Sequence, residues 1–204
     1  TFVDGDDWLD LNAYNRVADY LDGGTEIIAF GSKMYYNPNN VAAELTYFPA
    51  GNYSKQEIND VVIPNMIWNI REKNYGLYPA IWSKVAKRSL VLKSLEHAKT
   101  LDIYYGEDAA IVYPMIKEAE SLVIIEDSLY YHRQREAGVL PQYISDERFM
   151  SKLFAFYSFL MEQFSDYKEC QRRIDYLYIH AINLRKRIYG DYSYNDRYMF
   201  PFAR

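Results

Sequence analysis

The sequence predicts an α+β fold, because strand-like and helix-like segments both occur and are unevenly distributed along the chain. Residues 26–36 (EIIAFGSKMYY) and 121–134 (SLVIIEDSLYYHRQ) are rich in β-branched and aromatic residues, which favour strands. After Ser145 the apolar residues recur at helical spacing, as in Phe149, Leu153 and Phe156. We therefore divide the chain into residues 1–144, which form part of an α/β sheet, and residues 145–204, a C-terminal helical pair.

The first 50 residues predict a strand end, a helix and a hairpin. Thr1, Phe2 and Val3 have the composition of a strand end, and the apolar spacing from Trp8 to Leu21 predicts a helix that ends at Gly23-Gly24. Asn37-Pro38-Asn39-Asn40 is a turn signal after the strand at 26–36. We expect residues 44–48 to pair back as the second strand of a hairpin.

The middle of the chain predicts helices separated by irregular segments. Ser54 and Glu57 form a capping-box pattern ahead of a helix at about 55–70. Residues 71–80 predict a loop, and residues 81–100 a short element and a helix. Residues 101–105 predict a strand or an extended arm before the turn Gly106-Glu107-Asp108 and a helix at 109–119. The last helix ends in Arg185-Lys186-Arg187, which suits the negative end of a helix dipole.

Composition excludes several function classes. The net charge of −5 argues against a general nucleic-acid binder, and a single cysteine, Cys170, excludes an internal disulfide. No apolar stretch approaches the ~20 residues that cross a bilayer, so we expect a soluble, cytoplasmic protein. The 22 tyrosines favour broad semi-polar surfaces of the kind that bind carbohydrates or protein partners.

The opening TFVDGDDWLD gathers three carboxylates, Asp4, Asp6 and Asp7, around Gly5. Crowded carboxylates repel one another, and a hard cation such as Mg²⁺ or Mn²⁺ relieves that repulsion. The alternative is that Asp6 or Asp7 only caps the following helix. A second acidic turn, Glu107-Asp108, also precedes a helix, and it has the same capping alternative. A metal cluster with a separate carboxylate is what sugar transfer from a nucleotide diphosphate requires.

Five blocks, in order over residues 1–138, resemble family-two glycosyltransferases of the GT-A fold. FVDGDDWL resembles the metal-binding motif of that family, and GEDAAIVYPMI resembles its acidic catalytic turn. The other three blocks are PAGNYSKQEINDVVIPNMI, AIWSKVAKRSLV with a Trp-x-Lys segment, and IEDSLYYHRQREAG with a Tyr-x-Arg strand and the following loop up to Gly138.

The resemblance implies a role for each matching residue. Asp6 and Asp4 would bind a divalent metal, with Asp4 also facing the sugar nucleotide, and His132 could complete the metal shell. Asp108 would be the general base of an inverting displacement, with Glu107 orienting it or touching the acceptor. Arg133 and Arg135 would contact the diphosphate, and Trp82 and Lys84 would lie close to the acceptor. The alternatives without a function are that Trp82 belongs to the hydrophobic core and that His132 is structural.

The resemblance thus predicts a glycosyltransferase that uses a nucleotide-diphosphate sugar and a glycan or lipid-linked acceptor. The alternatives are a non-catalytic glycan- or protein-binding module and, with less support, a metal-dependent hydrolase. The family's nucleotide-binding half precedes the metal motif, so we expect this chain alone to bind donor weakly, to transfer no sugar, and to dimerise or cover its sheet with residues 192–202. The basic run at 185–187 is either a solvated helix end or a contact to anionic lipid at the inner face of the membrane.

Overall fold

The computed structural model describes residues 1–21, 23–43, 48–103, 105–135 and 144–189. These residues adopt an α+β fold, as the sequence predicts. The strands are β1 (Trp8–Leu9), β2 (Ile27–Asn37), β3 (Asn40–Ala43), β4 (Gly51–Ser54), β5 (Lys84–Ala86) and β6 (Ser121–Arg133). The helices are α1 (Ala13–Leu21), α2 (Lys55–Glu57), α3 (Ile63–Met66), α4 (Arg88–Ala98), α5 (Glu107–Glu118), α6 (Phe149–Gln163) and α7 (Lys168–Tyr189). A π-helical turn (Ile58–Val62) joins α2 to α3, and a 3₁₀ turn (Ile81–Ser83) precedes β5.

The sheet is built around β2 and β6, which run parallel to each other. On the outer side of β6, β4 pairs with its first half and β1 with its second half, both antiparallel. On the outer side of β2, β5 and β3 pair in the same way. Because side chains alternate between the two faces of a strand, Tyr130 and His132 lie on one face at the end of β6 and Tyr131 and Arg133 on the other.

The helical capping roles predicted for Asp6 and Asp7 are wrong. Trp8 and Leu9 pair with Tyr131 and Tyr130 as a short strand, so helix α1 begins only at Ala13. Asp10 organises the turn before α1: its Oδ1 accepts a hydrogen bond of 3.0 Å from the Asn12 N–H, and its carbonyl accepts from the Ala13 N–H at 2.9 Å. Residues 1–3 form no strand, which corrects that expectation as well.

Most of the predicted elements between residues 26 and 70 are confirmed with altered bounds. Strand β2 and the turn after Asn37 form a hairpin, but its return strand is β3, and residues 44–47 of the predicted partner lie outside the described ranges. The Ser54–Glu57 capping box is present in both directions. The helical segment that follows ends at Met66, a turn earlier than expected.

Helix α5 begins at Glu107 with the second acidic turn on its first residues. Gly106 has a φ of 86°, in the left-handed region that glycine tolerates, and a Cβ at this position would lie 2.5 Å from the Phe156 ring. The acidic turn is therefore seated against helix α6 through a glycine. Residues 101–103 and 105, which precede it, are not in a strand.

Helices α6 and α7 share one hydrophobic core with α3, α5 and one face of the sheet. Tyr178 and Phe164 of this pair are among the largest fully buried side chains, and the Cys170 thiol donates to the Ile63 carbonyl at 3.1 Å. Arg185 is 4% exposed and donates to the carbonyls of Ile144 and Asp146, so this part of the basic run is not a solvated helix end. The predicted covering segment 192–202 lies outside the described residues.

Within the described ranges, no helix combines the length and the apolar composition that crossing a membrane requires.

Candidate functional site

The three opening carboxylates, Asp4, Asp6 and Asp7, form a tight turn that we call the acid corner. The Asp7 N–H donates to the Asp4 carbonyl at 3.1 Å and closes the turn. The Asp7 carboxylate is held at both oxygens: Oδ2 accepts from the Tyr130 hydroxyl at 2.8 Å, and Oδ1 accepts from the Arg133 N–H at 2.8 Å. Asp7 thus fastens the acid corner to the end of β6.

The Asp4 carboxylate is the member of the corner with raised proton affinity. Burial raises its pKa above the ordinary value of 3.8, the Asp7 and Asp6 carboxylates raise it further, and His132 lowers it. Its backbone N–H donates to the Tyr130 hydroxyl at 3.0 Å, while its carboxylate accepts no hydrogen bond from the described residues. Electrostatic crowding of this kind favours a bound cation.

Both predicted arginines contact the acid corner through Asp6. The Arg135 Nε lies 2.9 Å from Asp6 Oδ2, and the Arg133 Nε donates to the Asp6 carbonyl at 2.9 Å. The Arg133 guanidinium also lies over the Trp8 ring, 5.1 Å from its centroid. The structure therefore brings Asp6, Arg133 and Arg135 together, and the predicted contact of the arginines with a diphosphate stays a prediction.

His132 lies beside the acid corner on the buried face of the sheet. Its Nδ1 is buried and has no hydrogen-bond partner among the described residues, and its ring centroid lies 5.4 Å from that of Trp82. In the described part of the chain, no group of three or more His, Cys, Asp or Glu side chains is close enough to hold a metal ion. The unpartnered His132 nitrogen and the neighbouring Asp4 carboxylate are nevertheless donor types that a divalent cation accepts.

Asp108 lies in the first turn of α5. Its Oδ2 accepts a hydrogen bond of 3.2 Å from the Ile81 N–H. Burial raises its pKa above 3.8, the Ile81 N–H and the Lys84 ammonium lower it, and the Asp4 carboxylate raises it. The turn that donates to Asp108 also carries Trp82, whose ring stacks on Tyr130, so packed side chains link Asp108 to the acid corner.

Glu107 lies beside Asp108 on the first turn of α5. Burial raises the pKa of the Glu107 carboxyl above 4.5, its own backbone N–H lowers it, and the Asp108 carboxylate raises it. Two neighbouring carboxyls with raised pKa values are the pattern expected of a site that exchanges protons.

The predicted acceptor residues, Trp82 and Lys84, are both buried under the site. Trp82 is 5% exposed and stacks on Tyr130, with ring centroids 4.2 Å apart and an interplanar angle of 15°. Lys84 is 3% exposed, and its ammonium donates to the carbonyls of Tyr78 and Ala80. These contacts hold the segment that presents the Ile81 N–H to Asp108. The Trp82 face that Tyr130 covers is not available to a sugar ring.

Tyr130 is the site residue that sequence reasoning missed. It is fully buried, its hydroxyl bridges Asp4 and Asp7, and its ring stacks on Trp82. Burial, with the neighbouring Asp7 carboxylate, raises the pKa of its phenol far above 10, so it is a neutral donor. Tyr130 and Tyr131 are adjacent and chemically identical. Only the alternation of side chains along β6 indicates which of the two lies at the acid corner.

A second cluster lies on the opposite face at the same end of the sheet. The Trp8 ring stacks on Tyr131 at 5.1 Å and meets Tyr35 edge-on at 4.8 Å. The Lys33 ammonium lies 4.6 Å from the centre of the Tyr131 ring. These aromatic side chains are half-buried, so this face is distinct from the buried face that carries Tyr130.

Comparison with known proteins adds no assignment to this geometry. Neither the protein-family models nor the curated proteins give a match to this chain. The function is therefore argued from the site itself.

Proposed function

We propose that this chain carries the metal and acceptor half of an inverting glycosyltransferase. The enzyme would transfer a sugar from a nucleotide-diphosphate sugar to a hydroxyl of a glycan or lipid-linked acceptor. The observation that carries the proposal is the chain of contacts between the acid corner and Asp108. The Tyr130 hydroxyl bonds Asp4 and Asp7, the Tyr130 ring stacks on Trp82, and the Ile81 N–H in the same turn as Trp82 donates to Asp108. The resemblance of five ordered sequence blocks to family-two glycosyltransferases supports it.

In this proposal Asp108 is the general base. A base must hold its proton weakly enough to be ionised and strongly enough to accept the proton of a sugar hydroxyl. Burial raises the pKa of Asp108, while the Ile81 N–H and Lys84 restrain that rise. The oxygen of the acceptor hydroxyl would attack the anomeric carbon, and the bond from that carbon to the diphosphate would break. Asp108 would take the proton of the attacking hydroxyl, and Glu107 would orient the acceptor from the adjacent position.

The acid corner would hold a divalent cation, Mn²⁺ or Mg²⁺, through Asp6, Asp4 and His132. When bound, the cation would offset the negative charge that develops on the departing nucleoside diphosphate. Arg133 and Arg135 contribute donors on the same side of the corner, and a planar guanidinium suits phosphate oxygens. Trp82 and Lys84 would support the acceptor site from beneath.

A non-catalytic module that binds glycans is the second candidate, and the Trp8–Tyr35–Tyr131 cluster favours it. Half-exposed aromatic rings with a nearby ammonium are common in carbohydrate-binding surfaces. Such a module would not need the link between the acid corner and Asp108.

The setting of the proposed enzyme follows from its substrates. Nucleotide sugars are cytoplasmic metabolites, so we propose a cytoplasmic location, at the inner face of the membrane when the acceptor is lipid-linked. Lys186 and Arg187 remain as the basic groups that could touch anionic lipid, because Arg185 is buried.

The test is release of nucleoside diphosphate from a panel of nucleotide sugars, with Mn²⁺ and a glycan or polyprenyl-phosphate acceptor. The assay uses the natural polypeptide that contains this sequence. We expect turnover that is abolished by EDTA and restored by Mn²⁺. Glycan binding that is unchanged by EDTA, without any turnover, would support the binding module instead.

A further inference from the structure

We propose that Tyr130 and Trp82 are a pair of positioning residues that fix the acid corner relative to Asp108. The resemblance to glycosyltransferases assigns Trp82 to the acceptor site and gives Tyr130 no role, so the positioning role is new for both residues. The inference rests on the proposed function for the presence and identity of a cation at the corner.

The first half of the link is the Tyr130 hydroxyl. It accepts the Asp4 N–H at 3.0 Å and donates to Asp7 Oδ2 at 2.8 Å, so one oxygen contacts the first and last residues of the corner. Tyr130 is fully buried, which leaves the hydroxyl no water as a substitute partner. This hydroxyl therefore holds both the backbone of the acid corner at Asp4 and the carboxylate of Asp7.

The second half of the link is the stack between the Tyr130 and Trp82 rings. Their centroids lie 4.2 Å apart, and Trp82 belongs to the 3₁₀ turn whose first residue, Ile81, donates to Asp108. A rigid aromatic stack between two buried rings transmits position with little freedom. Contacts from Asp7 through Tyr130 and Trp82 to the Ile81 N–H thus connect the acid corner with the Asp108 carboxylate.

The neighbouring Tyr131 offers a matched control. It lies on the same strand, but its side chain is on the opposite face, where its hydroxyl accepts a 3.1 Å hydrogen bond from Lys33. Tyr130→Phe and Tyr131→Phe each remove one hydroxyl from β6 and keep the ring. Only Tyr130→Phe removes a hydroxyl that touches the acid corner.

The first experiment measures Mn²⁺ binding by the wild type and both variants with water-proton relaxation, without any nucleotide. We expect Tyr130→Phe to lower the Mn²⁺ affinity about tenfold or more, the scale for loss of a group that orients metal ligands. Tyr131→Phe should bind as the wild type does. Circular dichroism and thermal unfolding establish that each variant is folded.

Two further variants separate position from stability. Asp7→Glu keeps the charge of the corner but lengthens the link to Tyr130, so it should also weaken Mn²⁺ binding. Trp82→Leu keeps the Tyr130 hydroxyl but removes the stack. We expect it to change the paramagnetic broadening that bound Mn²⁺ causes at the Ile81 and Asp108 amide signals, while the broadening at residues 4–7 stays.

Equal Mn²⁺ affinities of the wild type and Tyr130→Phe would overturn the inference. So would an equal loss in Tyr131→Phe, or a wild type whose bound Mn²⁺ does not broaden residues 4–7. If Tyr130→Phe weakens Mn²⁺ binding but no nucleotide sugar is turned over, the glycosyltransferase proposal fails and the positioning role stands.

Discussion

The two acidic turns have similar sequences but different physical environments. In the acid corner, Asp7 accepts two hydrogen bonds and Asp6 contacts Arg135, while both carboxylates crowd Asp4. Asp108 accepts one backbone hydrogen bond, and burial raises its pKa. The first turn therefore combines three carboxylates with several hydrogen-bond donors, whereas Asp108 in the second has one backbone donor.

The difference arises from what each turn packs against. The acid corner lies at the end of β6, where Arg133, Arg135 and Tyr130 supply donors. The turn at Asp108 is seated on Phe156 of α6 through Gly106, and Asp108 is partly buried there. Charge-stabilising contacts and desolvation shift proton affinity in opposite directions. Substitutions that exchange these environments should therefore separate the two roles.

The largest expected effect is that of Asp6→Ala, which should abolish Mn²⁺-dependent turnover of nucleotide sugar. The free energy of unfolding should change by less than about 1 kcal/mol, because a partly exposed carboxylate contributes little packing. Asp10→Asn is the control, since it neutralises a nearby carboxylate and keeps a side-chain oxygen that can accept the Asn12 N–H. Turnover by Asp6→Ala that matches the wild type would remove Asp6 from the metal site.

The next effect is a loss of catalysis without a loss of donor binding in Asp108→Asn. The amide keeps an oxygen for the Ile81 N–H but cannot accept the acceptor's proton, so turnover should fall by at least ~10²-fold. Glu107→Gln should lower turnover less, because orienting an acceptor contributes less than proton transfer. Calorimetry with nucleotide sugar and Mn²⁺ provides the comparison. Donor affinity that falls as far as turnover would assign Asp108 to the donor site or the scaffold.

The pH dependence of stability should also distinguish the turns. The native pKa of Asp108 is raised, so the unfolded chain ionises first as pH rises from about 4, and native stability falls until the native carboxyl has ionised. Asp108→Asn should therefore gain stability relative to the wild type between about pH 4 and neutral pH. Denaturant unfolding at several pH values, without metal, measures this difference.

Glu57 provides the opposite sign for the same experiment. Hydrogen bonds from Ser54 lower its pKa, so its contribution is present above about pH 4.5 and is lost as pH falls. Glu57→Gln should accordingly lose stability relative to the wild type at neutral pH. If both variants shifted in the same direction, desolvation would not be the dominant influence on Asp108.

The sequence predicted those elements whose signals are local. The β-branched runs of β2 and β6, the capping box at Ser54 and the stripe of α6 each lie within one segment. Trp8 was assigned to a helix because its spacing to Leu11 and Tyr14 is helical, yet it pairs with Tyr131 in a strand. That pairing joins residues far apart in sequence, so local periodicity could not reveal it.

The acidic residues of the candidate site could be predicted from the sequence, but the residues that hold them in place could not. Asp4, Asp6 and Asp108 were identified from acidic turns and family resemblance, and in the structure Tyr130 and Trp82 link these turns. The roles of Tyr130, buried Lys84 and Asp7 depend on which strand face or loop their side chains meet. Arg185 shows the same limit, because a basic helix end predicted as solvated is covered by the Ile144 and Asp146 carbonyls.

The smallest expected effect concerns the contact between Arg135 and Asp6. The two side chains are 62% and 34% exposed, so solvent screens their attraction. Arg135→Gln should raise the affinity for Mn²⁺ alone by about two- to fivefold, the scale of an exposed ion pair that no longer competes for the carboxylate. The gain should shrink as the salt concentration rises.

The same variant should bind nucleoside diphosphate with Mn²⁺ more weakly, because a guanidinium beside the corner is lost. Arg16→Gln is the control: Arg16 makes a comparable exposed pair with Asp127 at 2.9 Å but has no contact with the acid corner. Relaxation titrations with Mn²⁺ and calorimetry with nucleoside diphosphate measure the two affinities. A lower affinity for Mn²⁺ alone in Arg135→Gln would mean that Arg135 orders the acid corner for the cation. Arg135 and Mn²⁺ would then not compete for the Asp6 carboxylate.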